Sequence, residues 1–242
     1  MIRESFIFLD KISHKTEQNI WKQGVSCWND FLKAEKIKGI SKKRKEKFDL
    51  QLLEARQKLL KDAAEYFASL LPSGEHWRLY EQFKDETIFL DIEGNVSVIG
   101  LFDGYETKTM VRGFNFDKRL LEKEISKHKL VVTFNGSSFD LPALRRYFNF
   151  DFKIPHVDLR FVCQKIGLTG GLEHIERQLG VKRKEETFKD EIDIAFLWRR
   201  WRMTGNRKYI ELLVQYNEED IVNLKPIAEH AIKKLWETTR FK

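Results

Sequence analysis

Apolar residues recur at helical spacing over the first third of the chain and then give way to short apolar runs. Segments 15–28 and 47–71 place leucine, alanine and aromatic residues three and four positions apart, a pattern typical of amphipathic helices. The turn-forming residues Pro72-Ser73-Gly74 close this region. We therefore predict a helical accessory region over residues 1–80 and a second domain over residues 81–242.

The second domain begins with apolar runs that are short enough to be strands. The turn-forming pairs Gly94-Asn95 and Asp103-Gly104 separate the first runs, and strand and helix patterns alternate after them. The predicted strands cover residues 87–94, 96–102, 107–114, 130–135 and 155–159. The predicted helices cover residues 116–127 and 138–147, and the pattern is helical from Gly171 onward. This order predicts a layered α/β fold.

The charge of the chain favours an anionic partner. Lysine and arginine number 44 against 37 acidic residues, a formal net charge of +7. Nucleic acid is the first candidate and an acidic membrane surface the second, although many basic proteins bind neither. No apolar run approaches the roughly 20 residues that a membrane-spanning helix needs. The only two cysteines, Cys27 and Cys163, lie too far apart in the sequence for a zinc motif and are too few for a disulfide framework. A chain without disulfides fits a reducing compartment, so we expect a cytoplasmic protein.

Asp91 and Glu93 interrupt the most apolar of the predicted strands. Side chains two positions apart on a strand point to the same face, so the two carboxylates lie side by side. Two like charges there would repel each other and lose hydration unless a cation neutralises them. Oxygen ligands suit Mg²⁺ or Mn²⁺. The alternative is an edge strand on which water solvates both carboxylates.

The candidate site includes three more residues, Asp140, Tyr216 and Asp220, which lie further along the chain. Asp140 follows the predicted buried strand at 130–135, and the end of such a strand is where α/β folds assemble sites. Tyr216 and Asp220 lie four positions apart, and therefore on one face of a predicted helix. For two of them a purely structural role is the alternative. Asp140 can interact favourably with the helix dipole, and Asp220 can be solvated near a helix start.

Taken together, the order D-x-E, then F-N-G-x-x-F-D, then Y-x-x-x-D resembles the DEDD superfamily of exonucleases, and Tyr216 is typical of its DEDDy branch. Within that branch, the chain resembles the YprB-like group of predicted RNase H-fold exonucleases more closely. The resemblance spans residues 85–235 and rests on five motifs in order. These are FLDIEG at 89–94, TFNGSSFDLPALRR at 133–146, HVDLR at 156–160, GGLEHIERQLGVKR at 170–183 and YNEEDIVNL at 216–224.

This resemblance implies an RNase H-like mixed sheet, with a three-stranded antiparallel meander and two further parallel strands, flanked by helices. The first and fourth strands would be neighbours. Two Mg²⁺ or Mn²⁺ ions would then be bound by the family's four acids, here Asp91, Glu93, Asp140 and Asp220. Tyr216 would orient the attacking water, because a phenol with a pKa near 10 is a poor base at neutral pH. The implied activity is 3′→5′ exonuclease cleavage of DNA or RNA.

Several segments are candidates for contact with nucleic acid, with DNA favoured and single strands or 3′ ends expected. Asn135 belongs to the second motif, and the run Lys42, Lys43, Arg44 and Lys45 is strongly basic. The run also fits a solvated helix linker. Residues 198–202 (WRRWR) interleave tryptophan with arginine, as single-strand binders do, but helical spacing favours core anchors instead.

Two other functions fit the same residues. One is a module that binds nucleic acid without cutting it, and the other is an endonuclease that selects branched or flapped substrates with the same metal chemistry. The sequence predicts no particular protein partner.

Overall fold

A mixed five-stranded sheet forms the centre of the computed structural model, which describes residues 1–94, 96–149, 152–183 and 193–241. Its strands are β1 (Thr87–Glu93), β2 (Val98–Phe102), β3 (Thr107–Val111), β4 (Leu130–Thr133) and β5 (His156–Asp158). The spatial order is β3-β2-β1-β4-β5. β1 pairs antiparallel with β2 and parallel with β4, and the outer pairs β2–β3 and β4–β5 continue these directions. The predicted α/β sheet, with β1 and β4 adjacent, is therefore confirmed.

Helices precede the sheet, connect its strands and end the chain. Before the sheet lie α1 (His14–Lys22), α2 (Trp28–Lys33), α3 (Lys42–Leu60), α4 (Ala64–Leu70) and α5 (Tyr80–Phe83). The later helices are α6 (Lys118–Ile125), α7 (Asp140–Phe148), α8 (Leu159–Lys165), α9 (Leu172–Leu179), α10 (Ile194–Thr204) and α11 (Arg207–Arg240). Among the helices of the described ranges, none has both the length and the apolar character that crossing a membrane requires.

The two faces of β1 bury different partners because side chains alternate along a strand. Leu90 belongs to the hydrophobic cluster that includes residues of α6 and α7, such as Leu121 and Leu144. Phe89 belongs to the other large cluster, with Ile221 of α11. Asp91 and Glu93 lie two and four positions after Phe89, so their side chains point to the same face of β1 as the Phe89 ring. The two acidic residues of β1 therefore lie on the face that α11 covers.

The region before residue 81 packs directly on the sheet domain. Phe67 and Trp77 share one hydrophobic cluster with Ile227 and Leu235 of α11. Buried ions reinforce this core: the guanidinium of Arg78 contacts the carboxylate of Glu17 over 2.9 Å, and both side chains are 0% exposed. Glu75 contacts the same guanidinium over 2.7 Å. The first 80 residues thus share their core with the rest of the chain, and the boundary at residue 80 remains a prediction.

Several predicted elements have other bounds in the structure: the strands expected over 107–114 and 130–135, for example, stop at Val111 and Thr133. The helix expected over 15–28 stops at Lys22 and a second begins at Trp28. The helix expected over 47–71 is interrupted at Asp62, whose φ of +50° breaks the helical path. β2 starts at Val98 and not at residue 96, because the Ser97 N–H folds back onto the carbonyl of Glu93 over 2.8 Å. Asn95, half of the predicted turn pair, lies outside the described residues.

Candidate metal centre

Three carboxylates meet between β1 and α11. Asp91 and Glu93 extend from the covered face of β1, and Asp220 is a buried residue of α11. One carboxylate oxygen from each of the three lies within 4.8 Å of the others. Hard oxygen donors at this spacing are suited to a divalent cation.

The fourth predicted acid, Asp140, adjoins this group. β4 runs parallel to β1, so the loop after β4 emerges at the end of the sheet where β1 also ends. Asp140 is the first residue of α7, directly after that loop. Its Oδ1 accepts a hydrogen bond from the backbone N–H of Ile92 over 2.9 Å. One carboxylate oxygen of Asp140 is thus held against β1, beside the group formed by the other three acids.

The four carboxylates are held in a setting that disfavours their charges. Burial, together with the charges of Asp140, Glu93 and Asp220, raises the pKa of Asp91 well above its usual value. Burial and the charges of Asp220 and Asp140 raise the pKa of Glu93 to about 8. Burial also raises the pKa of Asp140 and of Asp220 to about 7. Buried carboxylates with perturbed pKa values are typical of functional sites, and a bound cation would offset the cost of their negative charges.

Asn217 holds the carboxylate of Asp91 in place. Its Nδ2 donates to Oδ2 of Asp91 over 2.9 Å. The amide can approach so closely because Asp91 pairs across the sheet with Gly100, which has no side chain. Asn217 is fully buried, and its Oδ1 has no hydrogen-bond partner among the described residues.

Arg183 supplies a positive charge to the other end of the group. Its Nη2 contacts Oδ1 of Asp220 over 2.5 Å, and its Nε donates to Oε2 of Glu176 over 2.9 Å. Glu176 is itself held by the side-chain amide of Asn223 over 2.9 Å. Nη2 of Arg183 also donates to Oε1 of Glu176 over 3.3 Å, so Glu176 orients the guanidinium along the edge formed by Nε and Nη2. The guanidinium neutralises part of the negative charge of Asp220.

Tyr216 lies one helical turn before Asp220, as predicted from its spacing. Its hydroxyl donates to Oε1 of Glu173 over 3.1 Å, and the guanidinium carbon of Arg183 lies 5.1 Å from the centre of its ring. Burial and the charge of Asp220 raise the pKa of Tyr216 above its usual value of 10. The phenol therefore stays neutral at pH 7, and it can orient a ligand but cannot remove a proton from one.

A cleft of about 410 Å³ opens beside Asp91 and Asp140. The rings of Phe134 and Phe139 line it, and the Phe139 ring is 65% exposed. The other lining residues are Ile92, Asn135, Arg160, Gly170 and Gly171. Asn135, one of the residues predicted to contact nucleic acid, thus faces the cleft from the loop after β4.

The basic run at the start of α3 divides into two parts. Lys42 and Lys43 are exposed, and Arg44 donates to the carbonyl oxygen of Asp10 over 3.1 Å. Lys45 is buried, pairs with Asp49 over 2.7 Å and lies 5.0 Å from the centre of the Phe31 ring. The ammonium of Lys45 is thus turned inward, between Asp49 and Phe31. This burial does not favour a phosphate contact at Lys45, and the phosphate contacts of the run stay a prediction.

Sequence reasoning missed Asn217 and Arg183. Asn217 precedes Asp220 by three positions on a helix, so helical spacing could have assigned both to one face. Arg183 ends the fourth motif of the resemblance, but no pattern in the chain links it to Asp220. Only the packing of the segment after α9 against α11 brings the two together.

Comparison with protein families supports the fold. A family model described as RNase_H_2, of the RNase_H superfamily, matches residues 86–232, which is more than half of the chain. Searches of curated proteins and of solved structures gave no significant match. The matched segment runs from β1 to α11 and contains all four acidic residues. The chain therefore belongs to the RNase H superfamily.

Proposed function

We propose that this protein is a metal-dependent nuclease, and more specifically a 3′→5′ exonuclease that hydrolyses phosphodiester bonds of DNA or RNA. The observation that carries the proposal is the convergence of buried carboxylates whose pKa values are raised by burial and, for Asp91 and Glu93, also by the charges of the neighbouring acids. A cluster of this kind is unfavourable for the fold by itself. It becomes favourable when divalent cations bind, and superfamily membership supports nuclease chemistry for such a site.

The residues present fit Mg²⁺ or Mn²⁺. Asp91, Glu93 and Asp220 would hold one ion, and Asp140 together with Asp91 would hold a second. When bound, the two cations would lower the pKa of the attacking water and neutralise charge on the leaving 3′ oxygen. The donor set is entirely oxygen, which Mg²⁺ and Mn²⁺ prefer.

The remaining side chains would position the reactants. Asn217 keeps one oxygen of Asp91 in a fixed direction, and Arg183 does the same for Asp220. The neutral hydroxyl of Tyr216 would orient the water. The cleft beside Asp140 would hold the 3′ end of the nucleic-acid strand, with Phe139 available for stacking on a base. The 3′→5′ polarity rests on the resemblance of the five motifs to DEDDy exonucleases.

The first experiment is a cleavage assay with the purified full chain. Single-stranded and double-stranded DNA and RNA, each labelled at the 5′ end, would be incubated with Mn²⁺, with Mg²⁺ and with excess chelator. We expect a ladder of shortened products that requires metal. Cleavage in excess chelator would contradict the metal mechanism. Cuts in a closed circular substrate would instead support the endonuclease alternative.

Variants then separate a nuclease from a binding module. Asp91→Asn and Asp220→Asn should lose turnover but bind nucleic acid within a few-fold of wild type, because phosphate contacts come mainly from lysine and arginine. Asp103→Asn is the matched control, because Asp103 lies in the turn between β2 and β3, outside the carboxylate group. If the wild type binds nucleic acid but cuts none under Mn²⁺, the binding module is the correct function.

A further inference from the structure

A tight turn after β3 presents an aromatic ring to solvent. The turn closes through the Phe114 N–H, which donates to the carbonyl of Val111 over 3.0 Å, and Gly113 adopts a φ of +90° within it. The side chain of Asn115 accepts from the Val111 N–H over 2.7 Å and braces the turn from inside. Phe114 is 63% exposed. Its ring is therefore held outward by a hydrogen-bonded backbone.

Phe114 is the outer member of a row of aromatic rings and one guanidinium that pack on one another. Its ring stacks on Trp201 with centroids 5.5 Å apart, and Trp201 packs on Trp198 at 4.8 Å. The guanidinium carbon of Arg112 lies 6.0 Å from the Trp198 ring and 4.8 Å from the ring of Tyr147. We call these residues the aromatic band: Phe114, Trp201, Trp198, Arg112 and Tyr147. Tyr147, at the other end, is 47% exposed.

The aromatic band lies at the same end of the sheet as the carboxylates. Glu93 pairs with Val98 across β1 and β2, and Val98 pairs with Val111 across β2 and β3. Two strand spacings, or about 10 Å, therefore separate the backbones of Glu93 and Val111. Arg112 also donates to the carbonyl of Val96 over 2.7 Å, which ties the band to the turn between β1 and β2.

Exposed arginines next in sequence to three members of the aromatic band favour an anionic occupant. Arg146 of α7 and Arg199 and Arg202 of α10 are exposed. The acidic neighbours Glu211 and Glu218 line a groove on the α11 side of Phe114. A nucleic-acid strand would thus approach from the side of α10, where arginines can neutralise its phosphates.

We propose that the aromatic band binds the unpaired bases of single-stranded nucleic acid, on the strand whose end enters the carboxylate group. This inference rests on the proposed nuclease function and specifies its substrate as single-stranded. An exposed ring that is held in place by a second ring, as Phe114 is by Trp201, offers a face to any base. The bases of a duplex already stack on one another, so a duplex cannot use this face.

The test measures binding without cleavage. The full chain, kept in chelator, would be titrated into fluorescein-labelled oligothymidylate and followed by anisotropy. Phe114→Ala should bind about tenfold more weakly, which is within the range for loss of one stacked base. Phe114→Tyr should keep wild-type affinity, because it keeps the ring. Tyr105→Ala is the matched control: Tyr105 is 79% exposed but lies at the opposite end of β3, in the turn after β2.

Two further probes decide between stacking and charge. The affinities for a duplex of equal length and for dextran sulfate, a polyanion without bases, should be unchanged in Phe114→Ala. An unaltered affinity of this variant for oligothymidylate would overturn the proposal, and so would an equal loss for dextran sulfate. Because the assay needs no metal, it separates the two proposals: a wild type that binds single strands but never cuts would remove the nuclease function, and with it the substrate role of the strand, but not the binding of unpaired bases by the aromatic band.

Discussion

Asn217 of α11 lies directly over Gly100 of β2, so closely that a methyl group at position 100 would collide with its Oδ1. Gly100 is the cross-strand partner of Asp91, and the Asn217 amide donates to the Asp91 carboxylate over 2.9 Å. The absence of a side chain at one position thus sets how near the helix approaches the acidic strand.

Gly100→Ala should therefore displace α11 from β1 and break the hydrogen bond between Asn217 and Asp91. Overpacking of this kind lowers the free energy of unfolding by about 1–3 kcal/mol, and we expect cleavage to slow as well. Urea unfolding and the cleavage rate would measure both effects. Gly74→Ala is the control, because nothing lies within 4 Å of a methyl group there. Equal stability of Gly100→Ala and wild type would show that the helix tolerates the methyl group.

Glu93→Gln should stabilise the metal-free protein, increasingly as pH rises. The pKa of Glu93 is raised to about 8 in the folded state, against about 4.3 in an unfolded chain. The folded state disfavours the ionised form of Glu93. The free-energy cost to folding therefore grows from about pH 5 to pH 8, as the group ionises in the unfolded chain but not in the folded one, and is constant above pH 8. The gain in unfolding free energy should reach the order of a few kcal/mol.

Thermal melts in chelator, from pH 5 to 9, would measure this difference. Glu124→Gln is a control of opposite sign, because hydrogen bonds from Lys108 and Lys127 lower the pKa of Glu124. Its ionised form stabilises the fold above pH 5, so the glutamine variant should be less stable there. A constant difference between Glu93→Gln and wild type over this pH range would contradict the raised pKa.

Arg183→Gln should destabilise the protein in chelator and increase its response to Mn²⁺. The substitution leaves Asp220 and Glu176 without their shared cation. Removing one partner of a largely buried ion pair costs on the order of 3 kcal/mol. Differential scanning fluorimetry with and without Mn²⁺ should show a lower Tm in chelator and a larger rise with metal. Lys182→Gln, at the exposed neighbouring position, should behave as wild type. An unchanged Tm in chelator would argue against this role of Arg183.

Arg78→Gln should destabilise the whole chain, because Arg78 is fully buried against Glu17 and Glu75. We expect a loss of about 3–5 kcal/mol. Circular dichroism and tryptophan fluorescence should report one coincident transition, since the first 80 residues share a core with α11. Lys84→Gln, which removes an exposed ion pair, should change stability by less than about 1 kcal/mol. Two separate transitions in wild type would instead show that the first 80 residues unfold independently.

Replacing Lys42, Lys43 and Arg44 together by alanine tests the predicted phosphate contacts of the basic run. Each lost contact should lower the log–log slope of affinity against salt by roughly 0.7–0.9. Turnover at saturating substrate should barely change. Lys45 is kept, because its buried pair with Asp49 stabilises α3. A salt slope equal to that of wild type would leave the run as a solvated helix start.

The sequence by itself determined the sheet and the placement of its acids. Period-two alternation is a property of one strand, so it assigns Asp91 and Glu93 to one face without knowledge of the fold. The apolar run before Asp140 and the four-residue spacing of Tyr216 and Asp220 also lie within single short segments, so they can be interpreted without knowledge of the fold. The five motifs in order then implied that β1 and β4 are neighbours, which the sheet confirms.

Only the tertiary structure decided what surrounds these acids. Asn217 contacts Asp91 across 126 positions of sequence, and Arg183 contacts Asp220 across 37. Local periodicity reports which face of an element is buried, but not which distant element covers it. For the same reason, it could not separate the inward Lys45 from the exposed Lys42, because packing of α3 against Phe31 determines that difference.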